Sequence, residues 1–185
     1  MIPSREAAWE LLNEHTKNQG LVKHMLSVEA AMRKYAQHFG EDQDLWGVVG
    51  LLHDFDYEEN PAPDKHPATG MAILASMGVD EMVTRAIASH AIYMNVARLT
   101  NMEKSLFASD ELCGLITATA LVKPNKTLAE VEVASVLKKM KDKSFARSVS
   151  REDIQIGVAE LGIPIEEHVG RVLAALQAIH SSLNL

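Results

Sequence analysis

The doublet His53-Asp54 is the feature of the sequence that most clearly indicates a chemical function. It directly follows the apolar run from Trp46 to Leu52. Imidazole and carboxylate are both metal-ligand groups, and an ionisable side chain is costly to bury unless it is paired or coordinates a metal. Successive helical residues point about 100° apart, so two neighbours can face one point only where a regular helix ends. The doublet therefore predicts a helix end at which both side chains hold one ion, or at which Asp54 bridges two.

Three further residues of ligand type, His24, His90 and Asp110, each lie among apolar residues at helical spacing. A single histidine in such a place is more often a hydrogen-bonded core residue, and a buried aspartate can instead pair with a lysine or arginine. Along the chain, however, the order is His, His-Asp, His, Asp on separate predicted helices. This order favours convergence on one metal site over a set of unrelated core positions.

The order of His24, His53-Asp54 and Asp110 resembles the signature of the HD-domain superfamily, a group of largely helical, metal-dependent phosphohydrolases. The resemblance covers about residues 20–122 and implies that these four residues coordinate a divalent metal. The stretch 138–162, which contains Lys-Asp-Lys-Ser-Phe-Ala, Arg-Glu-Asp-Ile and Leu-Gly, is similar to a subgroup of uncharacterised bacterial HD proteins. That second resemblance implies no particular substrate.

His66 and His90 extend this set toward a second metal, because several HD subgroups carry additional histidines between the doublet and the final aspartate. The alternative for His66 is an exposed residue at a helix start near Lys65, and the alternative for His90 is a hydrogen-bonded core histidine. We expect both to be ligands, so that one or two divalent ions are held. A mixed set of imidazoles and carboxylates does not distinguish Fe, Mn, Zn, Mg, Ni or Co.

Such a site would activate a bound water as the nucleophile for hydrolysis of a phosphate ester, with Asp54 taking part in catalysis as well as ligation. Phosphoryl transfer also relies on positive charge near the phosphate, and Lys104, Lys143 and Arg151 are the predicted catalytic cations. The alternative for the basic stretch after residue 138 is a solvated helix end. The acidic residues at positions 56, 58 and 59 are predicted to form a solvated loop rather than to orient ligands.

Two departures from better-known HD proteins narrow the predicted activity. A Gly-Tyr-Pro triplet is absent, which disfavours a cyclic-dinucleotide phosphodiesterase, and Tyr57-Glu58 stands where alarmone hydrolases have Glu-Asp. A phosphohydrolase acting on a nucleotide or a small phosphorylated metabolite remains. The alternatives are a di-iron oxygenase of the same superfamily, as in inositol oxygenase, and a module that binds a nucleotide or phosphometabolite without turning it over.

Length, composition and charge limit the domain organisation, the partners and the location that the sequence predicts. The 185 residues, 47% of them hydrophobic, predict one compact domain over 1–185, with a signature core at about 20–122 and a helical extension at about 127–185. A net charge of −7 argues against a nucleic-acid polymer as partner. Without an apolar run of membrane-spanning length or a signal-like start, we expect a cytoplasmic protein with no membrane contact. Its last helix is a candidate homodimer face, and Cys113 is expected to be buried and inert.

The elements that position the ligands are predicted to be helices throughout, which makes the fold class an all-α, multi-helix HD-domain bundle. Start and stop signals place helices at about 5–16, 19–39, 42–53, 67–77, 80–93, 101–121, 127–140, 150–161 and 164–179. The doublet ends the third of these, after an N-cap at Asp42 or Asp44. The other histidines, His15, His38, His168 and His180, are predicted to be surface or helix-end residues.

Overall fold

The computed structural model describes residues 1–185 and consists of ten α-helices without a β-strand. The predicted all-α bundle is therefore confirmed. The helices are α1 Arg5–His15, α2 Gln19–Phe39, α3 Gln43–Leu52, α4 Ala68–Ser76, α5 Glu81–His90, α6 Asn101–Leu121, α7 Val133–Lys141, α8 Arg151–Leu161, α9 Ile165–Ala178 and α10 His180–Leu183. Short 3₁₀ turns follow α5 and α6, at Ile92–Met94 and Leu128–Glu130.

Most helix boundaries follow the predicted capping residues. The Ser4 hydroxyl accepts a hydrogen bond from the Ala7 amide, and the Asp42 carboxylate accepts from the amides of Asp44 and Leu45. Asp42 is thus the N-cap of α3, which settles the choice between the two predicted aspartates. Gly40 adopts the left-handed conformation that ends α2 (φ 69°), where a side chain would be strained.

Two predicted boundaries are wrong. A capping box at Thr127 and Glu130 does not form, because the Glu130 carboxylate binds the backbone and side-chain amides of Asn125 instead. The seventh helix therefore starts at Val133. The fifth helix was expected to reach Tyr93 but ends at His90, where the backbone becomes extended at Ala91. This earlier end makes His90 the last residue of its helix.

The long helix α2 is central and packs against α3, α6 and α9 around a core of 35 buried residues that extends from Ala8 to Leu183. Two glycines allow the closest helix crossings. A Cβ at Gly50 would lie 2.9 Å from the Val28 carbonyl oxygen, and one at Gly157 would lie 2.5 Å from the Ala108 Cα. Gly50 thus brings α3 onto α2, and Gly157 brings α8 onto α6.

The prediction for His168 is wrong. This residue lies in α9 and is completely buried, with Nδ1 2.5 Å from the Tyr35 hydroxyl and Nε2 2.8 Å from the Ala108 carbonyl oxygen. Cys113 is buried, as expected. None of the helices combines the length and apolar character needed to cross a membrane. The single-domain organisation and a homodimer through the last helix stay predictions.

Candidate metal centre

Six predicted ligands from five segments converge at one end of α2. His24 lies in the second turn of α2, His53 caps the C-terminus of α3, and Asp54 follows in the next turn. The other three come from the segment before α4, the end of α5 and the middle of α6: His66, His90 and Asp110. All except the fully buried His53 line a cavity of about 400 Å³. The structure thus brings together every residue that was predicted to bind metal.

The histidines at the ends of α3 and α5 are oriented by the same local contact. His53 Nδ1 lies 2.8 Å from the Gly50 carbonyl oxygen, and His90 Nδ1 lies 2.5 Å from the Ile87 carbonyl oxygen. The last carbonyls of a helix lack an intrahelical partner, so each accepts the Nδ1 proton of the imidazole three residues later. In this tautomer Nε2 carries a free lone pair, and in both residues this nitrogen lies near the Asp54 carboxylate. This is the form of histidine that binds metal.

His66 is oriented by Asp56, for which the sequence favoured a solvated loop over a role in orienting ligands. Its Nδ1 donates to Asp56 Oδ1 at 2.9 Å, while Asp56 Oδ2 accepts from the Gly70 amide at 2.8 Å. Asp56 is 1% exposed, so the prediction of a solvated acidic loop is wrong at this position. A carboxylate behind a ligand histidine fixes its tautomer and increases its basicity.

The other two acidic residues of this loop have structural contacts. Glu58 accepts hydrogen bonds from the backbone amides of Lys17 and Asn18 at the start of α2. Glu59 lies 3.1 Å from His15 Nδ1 on the surface. Neither residue approaches the ligands, so only the first acidic residue after the doublet belongs to the site.

The first ligand group consists of His24, His53, Asp54 and Asp110. Asp110 Oδ1 lies 2.9 Å from His24 Nε2 and 3.5 Å from His53 Nε2, and Asp54 Oδ2 lies 3.5 Å from the same His53 nitrogen. The donor atoms of His24, His53 and Asp54 all lie within 4.8 Å of one another. The donor atoms of two imidazoles and two carboxylates are therefore close enough together to share one ion.

The second group consists of Asp54, His66 and His90. Asp54 Oδ1 lies 3.1 Å from His66 Nε2 and 3.2 Å from His90 Nε2, and the two nitrogens are 3.3 Å apart. Asp54 therefore belongs to both groups, with one carboxylate oxygen directed at each. An aspartate placed in this way could bridge two ions, which is one of the two alternatives that the doublet predicts.

Unpartnered buried atoms show that the donor set fits a metal. His53 Nε2 and Asp54 Oδ1 are both inaccessible to solvent, and neither has a neighbour aligned as a hydrogen-bond partner. A buried polar atom without a partner costs about 1–3 kcal/mol, so native proteins rarely leave one without a reason. Here the unpartnered nitrogen and the unpartnered oxygen belong to the two groups, and cations between them would satisfy both.

The pKa values of His53 and Asp54 reflect the attraction between the imidazoles and the carboxylates of the cluster. Burial alone would lower the pKa of His53, but the carboxylates of Asp54 and Asp110 raise it to about 9. Conversely, burial would raise the pKa of Asp54, while the imidazoles of His53, His66 and His90 hold it well below its usual range. The cluster therefore stabilises anionic carboxylates beside positive charge, which divalent cations would supply.

The rest of the cavity wall is aromatic, apolar and acidic. Tyr57 and Tyr93 are partly exposed at the cavity, and the carboxylates of Glu111 and Asp153 lie on its wall. Burial and the neighbouring Asp110 raise the pKa of Glu111 to about 7. The remaining lining residues are Leu21, Ala91, Ile92, Phe107, Gly114, Ser148 and Val149. No lysine or arginine is among them.

The three predicted catalytic cations thus lie outside this cavity. Lys104 is in the first turn of α6 and makes no side-chain hydrogen bond, and Lys143 is exposed in the loop before α8. The Arg151 guanidinium donates to the carbonyls of Ala146 and Val149, and to that of Phe145, so its donors hold this loop. A catalytic role for these residues stays a prediction without a supporting contact.

Arg98, another cation between His90 and Asp110, is also engaged elsewhere. Its guanidinium forms two bonds to Glu160, at 2.6 and 2.8 Å, and lies 3.7 Å from the centre of the Phe107 ring. It joins α6 and α8 behind the cavity wall. Arg98 therefore supplies no positive charge to the cavity.

Comparison with known proteins agrees with this geometry. The family model described as the HD domain matches residues 21–156, about three quarters of the chain. The matched segment contains all six candidate ligands and extends through the first turn of α8, beyond the 20–122 span that the motif alone covers. No solved structure matches the chain.

Proposed function

The chain belongs to the HD domain family, and we propose that it is a metal-dependent phosphohydrolase that cleaves a phosphate ester of a nucleotide or a small metabolite. HD domains are mostly metal-dependent hydrolases, and the cluster of histidines and aspartates can hold a divalent metal. The observation that carries the proposal is the shared carboxylate of Asp54, which belongs to both histidine groups and lines a cavity of about 400 Å³.

Each residue of the cluster has a defined part in this proposal. His24, His53 and Asp110 hold one position, His66 and His90 hold the other, and Asp54 fixes the spacing between them. Asp56 and the helix-end carbonyls keep the imidazoles in the tautomer that binds metal. When bound, divalent cations would activate water near neutral pH and neutralise charge that develops on the phosphoryl oxygens.

Metal loading and phosphate release test the proposal together. The full chain, loaded in turn with Mn²⁺, Fe²⁺, Zn²⁺ or Mg²⁺, is assayed with p-nitrophenyl phosphate and a set of nucleotides and phosphorylated metabolites. We expect elemental analysis to approach two ions per chain and phosphate release to stop when a chelator is added. Absence of phosphate release from every ester, with the ions in place, would overturn the proposal.

The shared carboxylate also favours a second candidate, a di-iron oxygenase, because two irons bridged by one aspartate would fit the same ligands. This alternative predicts two irons per chain and consumption of dioxygen during turnover. Activity with Mg²⁺ or Mn²⁺ under anaerobic conditions is expected only for the hydrolase. The same two assays therefore separate the candidates.

A further inference from the structure

The charge distribution in the cavity is uneven. Apart from the six ligands, its ionisable lining residues are Tyr57, Tyr93, Glu111 and Asp153, and none of them carries positive charge. Positive charge from the proposed ions would be confined to the end with the unpartnered His53 Nε2 and Asp54 Oδ1. One phosphate group would be complementary to that end. A polyphosphate normally needs additional lysine or arginine contacts, which this cavity does not supply.

The acidic part of the cavity lies where α6 meets α8. Glu111 follows the ligand Asp110 in α6, and its Oε2 accepts a hydrogen bond from the Ser150 amide at 2.9 Å. Asp153 lies in the first turn of α8. Both side chains line the cavity and neither forms an ion pair with a basic residue of the chain. Both carboxylates are therefore accessible to a cationic group of a molecule bound in the cavity.

Two tyrosines contribute further to this environment. Tyr57 and Tyr93 are 38% and 46% exposed, and both rings border the cavity. The Tyr57 ring is anchored edge-on against His66, with ring centres 5.2 Å apart. Aromatic faces attract cations and accommodate neutral groups, whereas they do not attract anions.

We propose that the substrate is a phosphate monoester whose leaving group carries a positive charge, with Glu111 and Asp153 as the residues that select it. The inference rests on the proposed phosphohydrolase function and adds the class of substrate. The phosphate occupies the metal end, and an amino alcohol extends toward the two carboxylates and the tyrosines. An anionic leaving group of equal size is repelled from the same position.

A pair of esters of similar size and opposite charge tests the inference: O-phosphoethanolamine and 2-phosphoglycolate. With the Mn²⁺-loaded full chain, we expect kcat/KM for the first ester to exceed that for the second by on the order of a hundredfold, since close charge pairs contribute strongly when partly desolvated. Isothermal calorimetry of both esters supplies dissociation constants as a readout that does not need turnover.

Variants assign the preference to residues. The double substitution Glu111→Gln with Asp153→Asn keeps the size of both side chains, and we expect it to reduce the ratio to less than about tenfold. Glu152→Gln is the matched control, because Glu152 is exposed beside Asp153 and does not line the cavity. Each variant is compared at equal metal content.

Each result decides the question. Equal handling of the two esters, or preference for 2-phosphoglycolate, overturns the inference while leaving a phosphohydrolase intact. A preference that the double variant and Glu152→Gln retain equally overturns the assignment to Glu111 and Asp153. If neither ester is hydrolysed, the two dissociation constants decide the inference. Equal affinities overturn it, and tighter binding of O-phosphoethanolamine supports it. If the double variant does not fold, the wild-type ratio and the two dissociation constants decide the inference.

Discussion

Two histidines of this protein are completely buried, and they differ in what their second ring nitrogen meets. In His168 both nitrogens have hydrogen-bond partners, the Tyr35 hydroxyl and the Ala108 carbonyl oxygen. In His53 only Nδ1 is paired, with the Gly50 carbonyl oxygen, while Nε2 faces two carboxylates without a hydrogen bond. Burial alone therefore does not separate a structural histidine from a candidate ligand, whereas the unpartnered nitrogen does.

The pKa values of His168 and His53 are shifted in opposite directions. Burial without a nearby carboxylate lowers the pKa of His168 to about 4, so this imidazole is neutral at physiological pH. For His53, the two aspartates outweigh burial and raise the pKa to about 9. A neutral, fully bonded imidazole stabilises the core, whereas the imidazole of His53 lies beside two carboxylates that favour a positive charge, such as a metal ion could supply.

The largest effect is expected for Asp54→Asn, which tests the ligand side of this comparison. Loss of the shared charge should remove metal from both groups and lower phosphohydrolase activity by at least about a thousandfold. Elemental analysis and phosphate release measure the two consequences. Asp64→Asn, the same change in the exposed loop before His66, is the control and should keep both. Retention of two ions by the Asp54 variant would contradict the shared role.

The structural histidine is tested by His168→Leu. This change leaves the Tyr35 hydroxyl and the Ala108 carbonyl unpaired in the core, so the free energy of unfolding at pH 7.5 should fall by about 3 kcal/mol. Metal content should be unchanged, because His168 contacts no ligand. Urea unfolding and elemental analysis give the two values. Loss of metal from a folded His168 variant would remove the distinction between the two histidines.

The stability difference between wild type and the His168 variant should depend on pH. Because the pKa of His168 is lowered from 6.5 to about 4 on folding, protonation favours the unfolded chain. The stabilisation by neutral His168 is thus complete above pH 6.5 and declines as the pH falls toward 4. Urea unfolding at pH 4.5 should show a clearly smaller gap between the two proteins than at pH 7.5. A constant gap would show that His168 does not titrate in this range.

A smaller effect is expected for Asp56→Asn, which weakens one ligand without removing it. An amide can accept from either His66 Nδ1 or the Gly70 amide, but it cannot accept from both through two oxygens. Loss of such an outer contact typically lowers metal affinity by about 10- to 100-fold. Competition with a chromophoric chelator measures this affinity, and Glu59→Gln, on the surface of the same loop, should leave it unchanged.

The smallest effects are expected for Lys104→Gln and Lys143→Gln. Neither side chain lines the cavity, so each variant should keep kcat/KM within about twofold of wild type, as is usual for exposed charges away from a site. Steady-state kinetics at constant ionic strength is the measurement. A tenfold decrease with unchanged metal content would support the catalytic role that the sequence predicted for that lysine.

The all-α fold could be predicted from the sequence because helix signals are local. The grouping of the candidate ligands could be predicted because their order along the chain resembles the HD signature. His53 at the end of a helix followed directly from its apolar run and from the doublet. Asp56 and His168 were missed because their roles depend on contacts across the fold, to Gly70 and to Tyr35, which is 133 residues away from His168. The prediction that Arg151 is a catalytic cation has no supporting contact for the same reason. The carbonyl groups to which its guanidinium donates become its neighbours only when the loop folds.

The contacts of His53 and His90 with their own helices have a dynamic consequence. Each imidazole acts as a cap for the last turn of α3 or α5, because it takes up a carbonyl that the helix leaves free. Fraying of either last turn would release that carbonyl and turn the ligand away at the same moment. Local unfolding at these two helix ends and opening of the coordination site are therefore one event, and a bound ion would slow amide hydrogen exchange there first.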